Sequence, residues 1–302
     1  MDSGRKTALP AVVILLSMLS TILKVVGVLA AIAVLIYLVT AILAWRYQDR
    51  MAFPAPRSPL PNPETLGIHD GRRIALVTSD GVALQGWYLP PNPLPAAGST
   101  APGLIWFYGN METIEGIAPI LQRFRPVGTG MMVLDYRGYG SSAGEPTEEG
   151  VYRDAEAAWD YMVAQSEIDS TRIGVYGRSI GSAVALYLAT ERPVRVVILD
   201  SPFSSGRDMA EQHYSFLPLS LMRLSLDNTR RAEQLTVPLL VFHGAEDRIA
   251  PVQMGHAVAR AGRADTIIEI PGAGHNDTYA VGGDMYVRHF LDFLEENLQQ
   301  RP

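Results

Sequence analysis

Cysteine is absent from the 302 residues. Its absence excludes a disulfide framework, a thiol nucleophile and any cysteine-held zinc or iron–sulfur centre. Lysine is nearly as scarce: Lys6 and Lys24 are the whole complement, and every later basic residue is arginine. Charged residues make up 19% of the chain against 48% apolar, too apolar for disorder and sufficient for a sizeable core. A formal net charge of −6 speaks against a nucleic-acid partner. The charge is unevenly spread. Residues 1–50 hold five basic and two acidic side chains, and the remainder holds twenty and twenty-nine.

What is present begins with a long apolar front end. Residues 25–45 (VVGVLAAIAVLIYLVTAILAW) carry no charge. At about 1.5 Å per residue they span roughly 30 Å, the thickness of a bilayer's hydrocarbon core. A cleaved signal would be shorter and exit through small residues; here Ile42, Leu43, Trp45, Arg46 and Tyr47 follow instead, with Trp45 and Tyr47 placed as interfacial anchors. A second apolar run, residues 8–23, precedes Lys24. Ser17, Ser20, Thr21 and Lys24 share one helical face, and Pro10 suits a first turn. Two arrangements are open. One is an in-plane helix at 9–23 followed by a membrane helix at 25–45; the other is one long tilted helix. Basic residues flank both sides (Arg5, Lys6 and Lys24; Arg46, Arg50 and Arg57), so orientation rests on the short basic N-terminus, which places the rest of the chain extracytoplasmically. Arginine, alanine and proline usage points to a GC-rich bacterial source, hence an inner membrane.

Residues 1–50 therefore read as a membrane-anchoring segment, and 51–64, rich in proline, as a stiff extended linker. Residues 65–302 read as one domain. Strand-like segments at 73–78 and 83–89 flank a Ser79-Asp80-Gly81 turn. Apolar runs follow at 103–108, 130–135, 172–176, 195–200, 238–243 and 266–270. Helix-length stretches separate them at 113–125, 147–166, 180–191, 251–261 and 284–298. Short continuous strands alternating with helices imply an α/β domain with a parallel sheet buried on both faces. Functional loops then gather at the carboxyl ends of the strands. One connection, about 201–236, is long and contains the apolar SFLPLSLMRL; it is either a lid or an ordinary crossover.

The sharpest local signal is Gly177-Arg178-Ser179-Ile180-Gly181, directly after a strand and directly before a helix. A sharp strand-to-helix turn exposes a nucleophile, and its crowded backbone needs small neighbours at Gly177 and Gly181. Serine needs a base and the base an orienting acid, in the chain order serine, acid, histidine. Asp247 follows the strand at 238–243, with Glu246 beside it as the alternative acid; His275 lies in the glycine-rich loop after the strand at 266–270. His243 closes a strand and is expected to pack beside the acid loop. The oxyanion donors expected are the N–H groups of Ile180 and Asn110, with Met111 the weaker alternative to Asn110.

These residues resemble the α/β-hydrolase superfamily, and within it the membrane-anchored α/β-hydrolase-domain serine hydrolases. The resemblance covers about residues 65–298. It rests on Phe107-Tyr108-Gly109-Asn110, on Asp135-Tyr136-Arg137-Gly138-Tyr139-Gly140 with Ser142, Gly144-Glu145-Pro146 and Glu149-Gly150, on the Ser179 turn, on Asp247, and on Gly274-His275-Asn276. It implies an α/β-hydrolase fold with a mostly parallel eight-stranded sheet and a short lid insertion. It also implies ester or thioester hydrolysis by Ser179, His275 and Asp247, without metal or organic cofactor. Two positions depart from the family's pattern: Tyr108 stands where histidine is usual, and Ser182 where a second glycine is usual. Tyr108, Met111, Phe203, Phe216, Leu217, Leu219, Leu221 and Met222 are the expected substrate or lid contacts. The expected partners are the lipid bilayer and an acyl-ester or lipid substrate such as a monoacylglycerol or lysophospholipid. Acyl transfer and peptide cleavage share the acyl-enzyme and stay open. A non-catalytic binding protein on the same fold is the reading from a different class.

Overall fold

Alternating apolar strands and helices wind the chain around one central sheet. The computed structural model describes residues 8–299, and the chain divides after Gln48 into two compact units. The first unit is almost wholly α1 (Ala8–Arg46). It runs unbroken through Lys24, so the division into helices at 9–23 and 25–45 gives way to one helix. The physical reason is local. No proline follows Pro10 inside it, and a lone Gly27 costs a helix only about 1 kcal/mol. Its 39 residues rise about 58 Å. Val12–Arg46 is long and apolar enough to cross a membrane. The hydroxyls of Ser17, Thr21 and Thr40 donate to the carbonyls of Ile14, Ser17 and Ile36, at 2.8, 2.9 and 2.9 Å. Such back-bonding is how hydroxyls are satisfied in an apolar helix. Arg5 and Lys6, the basic flank used for orientation, lie outside the described residues.

The second unit begins earlier than the expected boundary. Residues 51–64 are not a free linker. Phe53 and Leu60 are buried in the core, and Leu60 N–H donates to Ser141 Oγ (2.8 Å). The Trp87 indole donates to the Pro61 carbonyl (3.0 Å), and Arg57 donates to the carbonyls of Ser142 and Gly144. Apolar side chains between the prolines made this possible, and the proline spacing hid it. The short helix α2 (Gln48–Ala52) leads into this segment.

The sheet comprises β1 (Arg72–Val77), β2 (Ala83–Leu89), β3 (Ala101–Phe107), β4 (Gly130–Leu134), β5 (Ile168–Arg178), β6 (Val196–Asp200), β7 (Leu239–Gly244) and β8 (Thr266–Ile270). Their order is β1-β2-β4-β3-β5-β6-β7-β8. All neighbours are parallel except β2, which runs antiparallel to both β1 and β4, so the sheet is mixed. Every residue of β3, β4, β6 and β7 is buried, as continuous apolar runs demand, whereas the edge strand β1 is largely exposed and β8 is buried only at Ile270.

The helices are α3 (Ile114–Phe124), α4 (Glu148–Val163), α5 (Ile180–Glu191), α6 (Gly206–His213), α7 (Asn228–Ala232), α8 (Val252–Ala261) and α9 (Thr278–Leu294). Thr113, Thr147, Ser205 and Asp227 cap α3, α4, α6 and α7, each side chain accepting a first-turn N–H. The expected helix at 284–298 starts earlier, at Thr278, and kinks at Gly283, whose φ of 52° only glycine adopts freely. α3 packs against α9, while α4, α5, α7 and α8 pack as successive neighbours. α6 and α7 belong to the long connection between β6 and β7.

Aromatic stacking dominates the core beneath α9. Trp106 stacks on Tyr176 at 3.7 Å, and Phe290 meets Trp106, Phe124 and Tyr176 at 5.2–6.0 Å. Phe290 is fully buried. Phe290→Ala is therefore expected to lower unfolding stability by about 3–5 kcal/mol in urea titration; a loss under about 1 kcal/mol would show that α9 docks by other contacts.

Candidate active site

β5 ends and α5 begins around a single residue, Ser179, held at φ 51° and ψ −117°. A non-glycine residue there is strained by roughly 1–3 kcal/mol. Its neighbours explain how the turn is reached. A Cβ on Gly181 would lie 2.2 Å from the Phe107 carbonyl oxygen, and one on Gly177 would lie 2.4 Å from the Gly181 carbonyl oxygen. Backbone on backbone cannot yield, so both positions require glycine. The bent turn is also pinned: Ser179 N–H donates to the Asp200 carbonyl (2.9 Å). Ser182 N–H and Ser182 Oγ both donate to the Ser179 carbonyl, at 2.9 and 2.5 Å.

The loops after β7 and β8 meet this turn. His275 Nε2 lies 2.8 Å from Ser179 Oγ, and His275 Nδ1 lies 2.6 Å from Asp247 Oδ2. A carboxylate only accepts, so Nδ1 carries the proton and Nε2 presents a lone pair to the serine hydroxyl. Asp247 Oδ1 accepts the N–H groups of Ile249 and Ala250 (2.8 and 2.9 Å). Glu246 is exposed, and of the two candidate acids Asp247 is the one bonded to the imidazole. His243, expected beside the acid loop, sits there fully buried. Its Nε2–H donates to the Ala250 carbonyl (2.8 Å) and lies 3.3 Å from Asp247 Oδ2. Burial works against the Asp247 carboxylate, but hydrogen bonds from His243 and His275 win and hold it well below the ordinary carboxylate range.

The loop after β3 supplies the third side. Ile180 opens α5, so its N–H belongs to the first helical turn and has no intrahelical partner. Asn110 has its side chain committed: Nδ2 donates to the Ala52 carbonyl (2.6 Å), and Oδ1 accepts the Tyr139 hydroxyl (2.7 Å). Its backbone is thereby fixed next to the turn; a Cβ on the adjacent Gly109 would lie 3.5 Å from Ser179 Cβ. Met111, with φ 63°, is exposed.

The Asp135–Gly140 motif is architectural. Arg137 pairs with Asp154 (2.9 Å) and forks onto Asp80 (2.8 and 3.0 Å). Gly140 sits at φ 48°, where a Cβ would collide with Asp135 Oδ2 at 2.0 Å. The motif reaches the site through Tyr136, whose hydroxyl donates to the Tyr108 carbonyl (2.9 Å), and through Tyr139 on Asn110.

Two expected substrate contacts are corrected. Tyr108 is fully buried with its hydroxyl donated to Asp135 Oδ1 (2.9 Å), and Phe203 is buried in the core. Tyr108 continues the apolar run of β3 into the core, and Phe203 turns into the core after Ser201-Pro202. Phe216 is exposed, and Leu217, Leu219, Leu221 and Met222 are half-buried within the β6–β7 connection. Asn228, at the base of that connection, donates to Ser182 Oγ (3.0 Å) and to the Phe203 carbonyl (2.8 Å).

Sequence reasoning missed Arg178 and Glu112. The Arg178 side chain is only 4% exposed. Its Nη1 donates to Glu112 Oε1 (2.6 Å), its Nη2 to the His275 carbonyl (2.7 Å) and to Asn276 Oδ1 (3.4 Å), and its Nε lies 3.6 Å from Asp200 Oδ2. Glu112 Oε2 accepts the Gly109 N–H (2.6 Å). The available signal was an arginine at the end of a buried strand, which demands a buried partner. Among the described residues no group of His, Asp and Glu is arranged to hold a metal ion.

A carboxyl depressed in the folded state lends stability that is complete above its unfolded pKa and lost as the pH falls through the folded one. The gap in Tm between wild type and Asp247→Asn is thus expected to stay constant above about pH 5 and to narrow toward about pH 3. A gap that widens on acidification would contradict the hydrogen-bonded carboxylate.

Comparisons with known proteins agree on the fold. Residues 102–226 match the family model described as serine aminopeptidase, S33. An uncharacterised protein of Mycobacterium tuberculosis is 33% identical over 256 residues, covering 83% of this chain and 89% of that protein. The α/β-hydrolase domain-containing protein WAV2 of Arabidopsis thaliana is 31% identical over 247 residues, covering 74% and 78%. Among solved structures, the esterase Pf2001 of Pyrococcus furiosus superposes with a TM-score of 0.64 at 19% identity, covering 81% of this chain and 98% of the esterase. At that identity the likeness is one of fold.

Proposed function

The chain belongs to the α/β-hydrolase family, in its α/β-hydrolase-domain branch, and from this premise we propose that it is a membrane-attached serine hydrolase cleaving carboxylic esters or thioesters of acyl chains. The observation that carries the reading is the continuous hydrogen-bonded line from Asp247 through His275 to Ser179.

Ser179 Oγ attacks the acyl carbonyl carbon while His275 Nε2 takes its proton. The imidazolium that forms is stabilised by Asp247, whose depressed pKa keeps it ionised as the charge develops. The N–H groups of Ile180 and Asn110 receive the oxyanion, and the aligned first turn of α5 favours the same negative charge. The tetrahedral adduct collapses as His275 returns the proton to the leaving alcohol or thiol. Water, deprotonated by His275, then attacks the acyl-serine, and the carboxylic acid departs as Ser179 regains its proton.

The apolar helix α1 supports attachment to a bilayer; placing the catalytic unit outside the cytoplasm of a bacterial cell is part of the proposal and rests on the short basic N-terminus. The exposed or half-buried apolar residues at 216–222 and Met111 suit an acyl chain presented by a lipid, such as a monoacylglycerol or lysophospholipid. Full-length protein in detergent is expected to take a fluorophosphonate probe and to hydrolyse p-nitrophenyl acyl esters faster than aminoacyl anilides. Ser179→Ala and His275→Ala are each expected to lose at least ~10³-fold in kcat/KM with the fold retained. Undiminished ester turnover in Ser179→Ala would remove the proposal.

A further inference from the structure

Resting on the serine-hydrolase reading above, we propose that Arg178 and Glu112 are a positioning pair that decides which backbone N–H serves the oxyanion and balances charge beside it. The pair lies against the reacting groups. A Cβ on Gly109 would be 3.1 Å from Arg178 Nη1, 3.2 Å from Glu112 Oε2 and 3.5 Å from Ser179 Cβ. Glu112 occupies the Gly109 N–H, so that donor is closed to a substrate, and the next along the chain, that of Asn110, is the one left for an oxyanion. A carboxylate this close to a developing negative charge opposes the reaction unless it is neutralised. Arg178 neutralises it through the 2.6 Å bond to Oε1, and its other Nη holds the carbonyl of His275. One buried guanidinium therefore fixes the oxyanion loop and the backbone that carries the base, and screens the acid between them. The planar fork is essential, since an ammonium cannot reach separate partners in fixed directions. Asp200 also faces Arg178, but the hydroxyls of Tyr176, Ser201 and Thr278 hydrogen-bond to it independently.

The test uses full-length protein in detergent, with two readouts: the second-order rate of inactivation by a fluorophosphonate, and kcat and KM on a short p-nitrophenyl ester. Arg178→Gln strands Glu112 as a bare charge and is expected to slow inactivation and kcat ~100-fold, with KM changed less than ~3-fold. Arg178→Gln with Glu112→Gln restores local neutrality and is expected to recover at least ~10-fold of that loss. A purely structural role predicts the opposite, a double variant no faster than the single one, and that result would overturn the proposal. So would an Arg178→Gln enzyme within ~3-fold of wild type. Should Arg178→Gln not fold, Arg178→Lys carries the test: it keeps the charge, loses the fork and is expected to react ~10-fold more slowly, and a wild-type rate would overturn the inference. Failure of the underlying reading is separately visible: a wild-type chain that takes no probe, or Ser179→Ala that takes it at the wild-type rate, removes the hydrolase and this inference with it.

Discussion

Everything at the site depends on backbone approaching backbone at one crossing. The turn carrying Ser179 can reach positive φ only because α5 begins almost on top of the end of β3, with Gly181 against the Phe107 carbonyl. That closeness places the first N–H groups of α5 beside the loop at Gly109 and Asn110, so the proposed nucleophile and the proposed anion site are two consequences of a single contact. The strain at Ser179 is sustained by its surroundings. Its N–H is tied to β6 and its carbonyl accepts two donors from Ser182. An alcohol held this way is presented to the imidazole without spending further conformational entropy when a substrate arrives.

Charge burial imposes the second constraint. Arg178, Asp200 and Asp247 are buried within a few residues of one another in space, and a single unpaired member would be costly. Each is multiply hydrogen-bonded: Arg178 to Glu112 and the His275 carbonyl, Asp200 to the hydroxyls of Tyr176, Ser201 and Thr278, and Asp247 to His275 and the N–H groups of Ile249 and Ala250. The network therefore joins the ends of β3, β5, β6, β7 and β8, which are far apart along the chain. In a sheet whose loops would otherwise be free to drift apart, the buried ions set the loop geometry that the catalytic reading requires.

Much of this was legible in the residues. Apolar runs located β3 to β8, and the segments flanking the Ser79-Asp80-Gly81 turn located β1 and β2; in β3, β4, β6 and β7, buried throughout, there is no alternation to misread. The Gly177–Gly181 spacing located the turn, because a steric demand for glycine leaves a visible trace. The acid was ambiguous between Glu246 and Asp247, since adjacent carboxylates differ only in the direction the chain faces, which spacing does not encode. Tyr108 and Phe203 were misassigned to the mouth for the same reason: an apolar residue at a strand end looks alike whether it turns inward or outward. The segment 51–64 read as linker because proline content masks the apolar residues between. Arg178 was invisible as a functional residue because it fills the unspecified position of the serine motif.

The departure at Ser182 shows how the fold absorbs a change at a crowded place. A hydroxymethyl group there is fully buried, in a helix packed beneath the nucleophile, and an unsatisfied hydroxyl would destabilise it by about 1–3 kcal/mol. Both of its capacities are used: Oγ donates to the Ser179 carbonyl and accepts from Asn228 Nδ2. Asn228 begins α7, at the base of the β6–β7 connection, and also donates to the Phe203 carbonyl at that connection's start. Glu148 of α4 accepts the N–H groups of Ser225 and Leu226 nearby. The roots of the insertion are thus bonded to the Ser179 turn and to the helical layer, while its stretch at 214–220 is exposed or half-buried. On the proposed ester-hydrolase reading, adjustment to different acyl groups falls to that stretch, because movement at the roots would have to break the same bonds that hold the serine in its strained geometry.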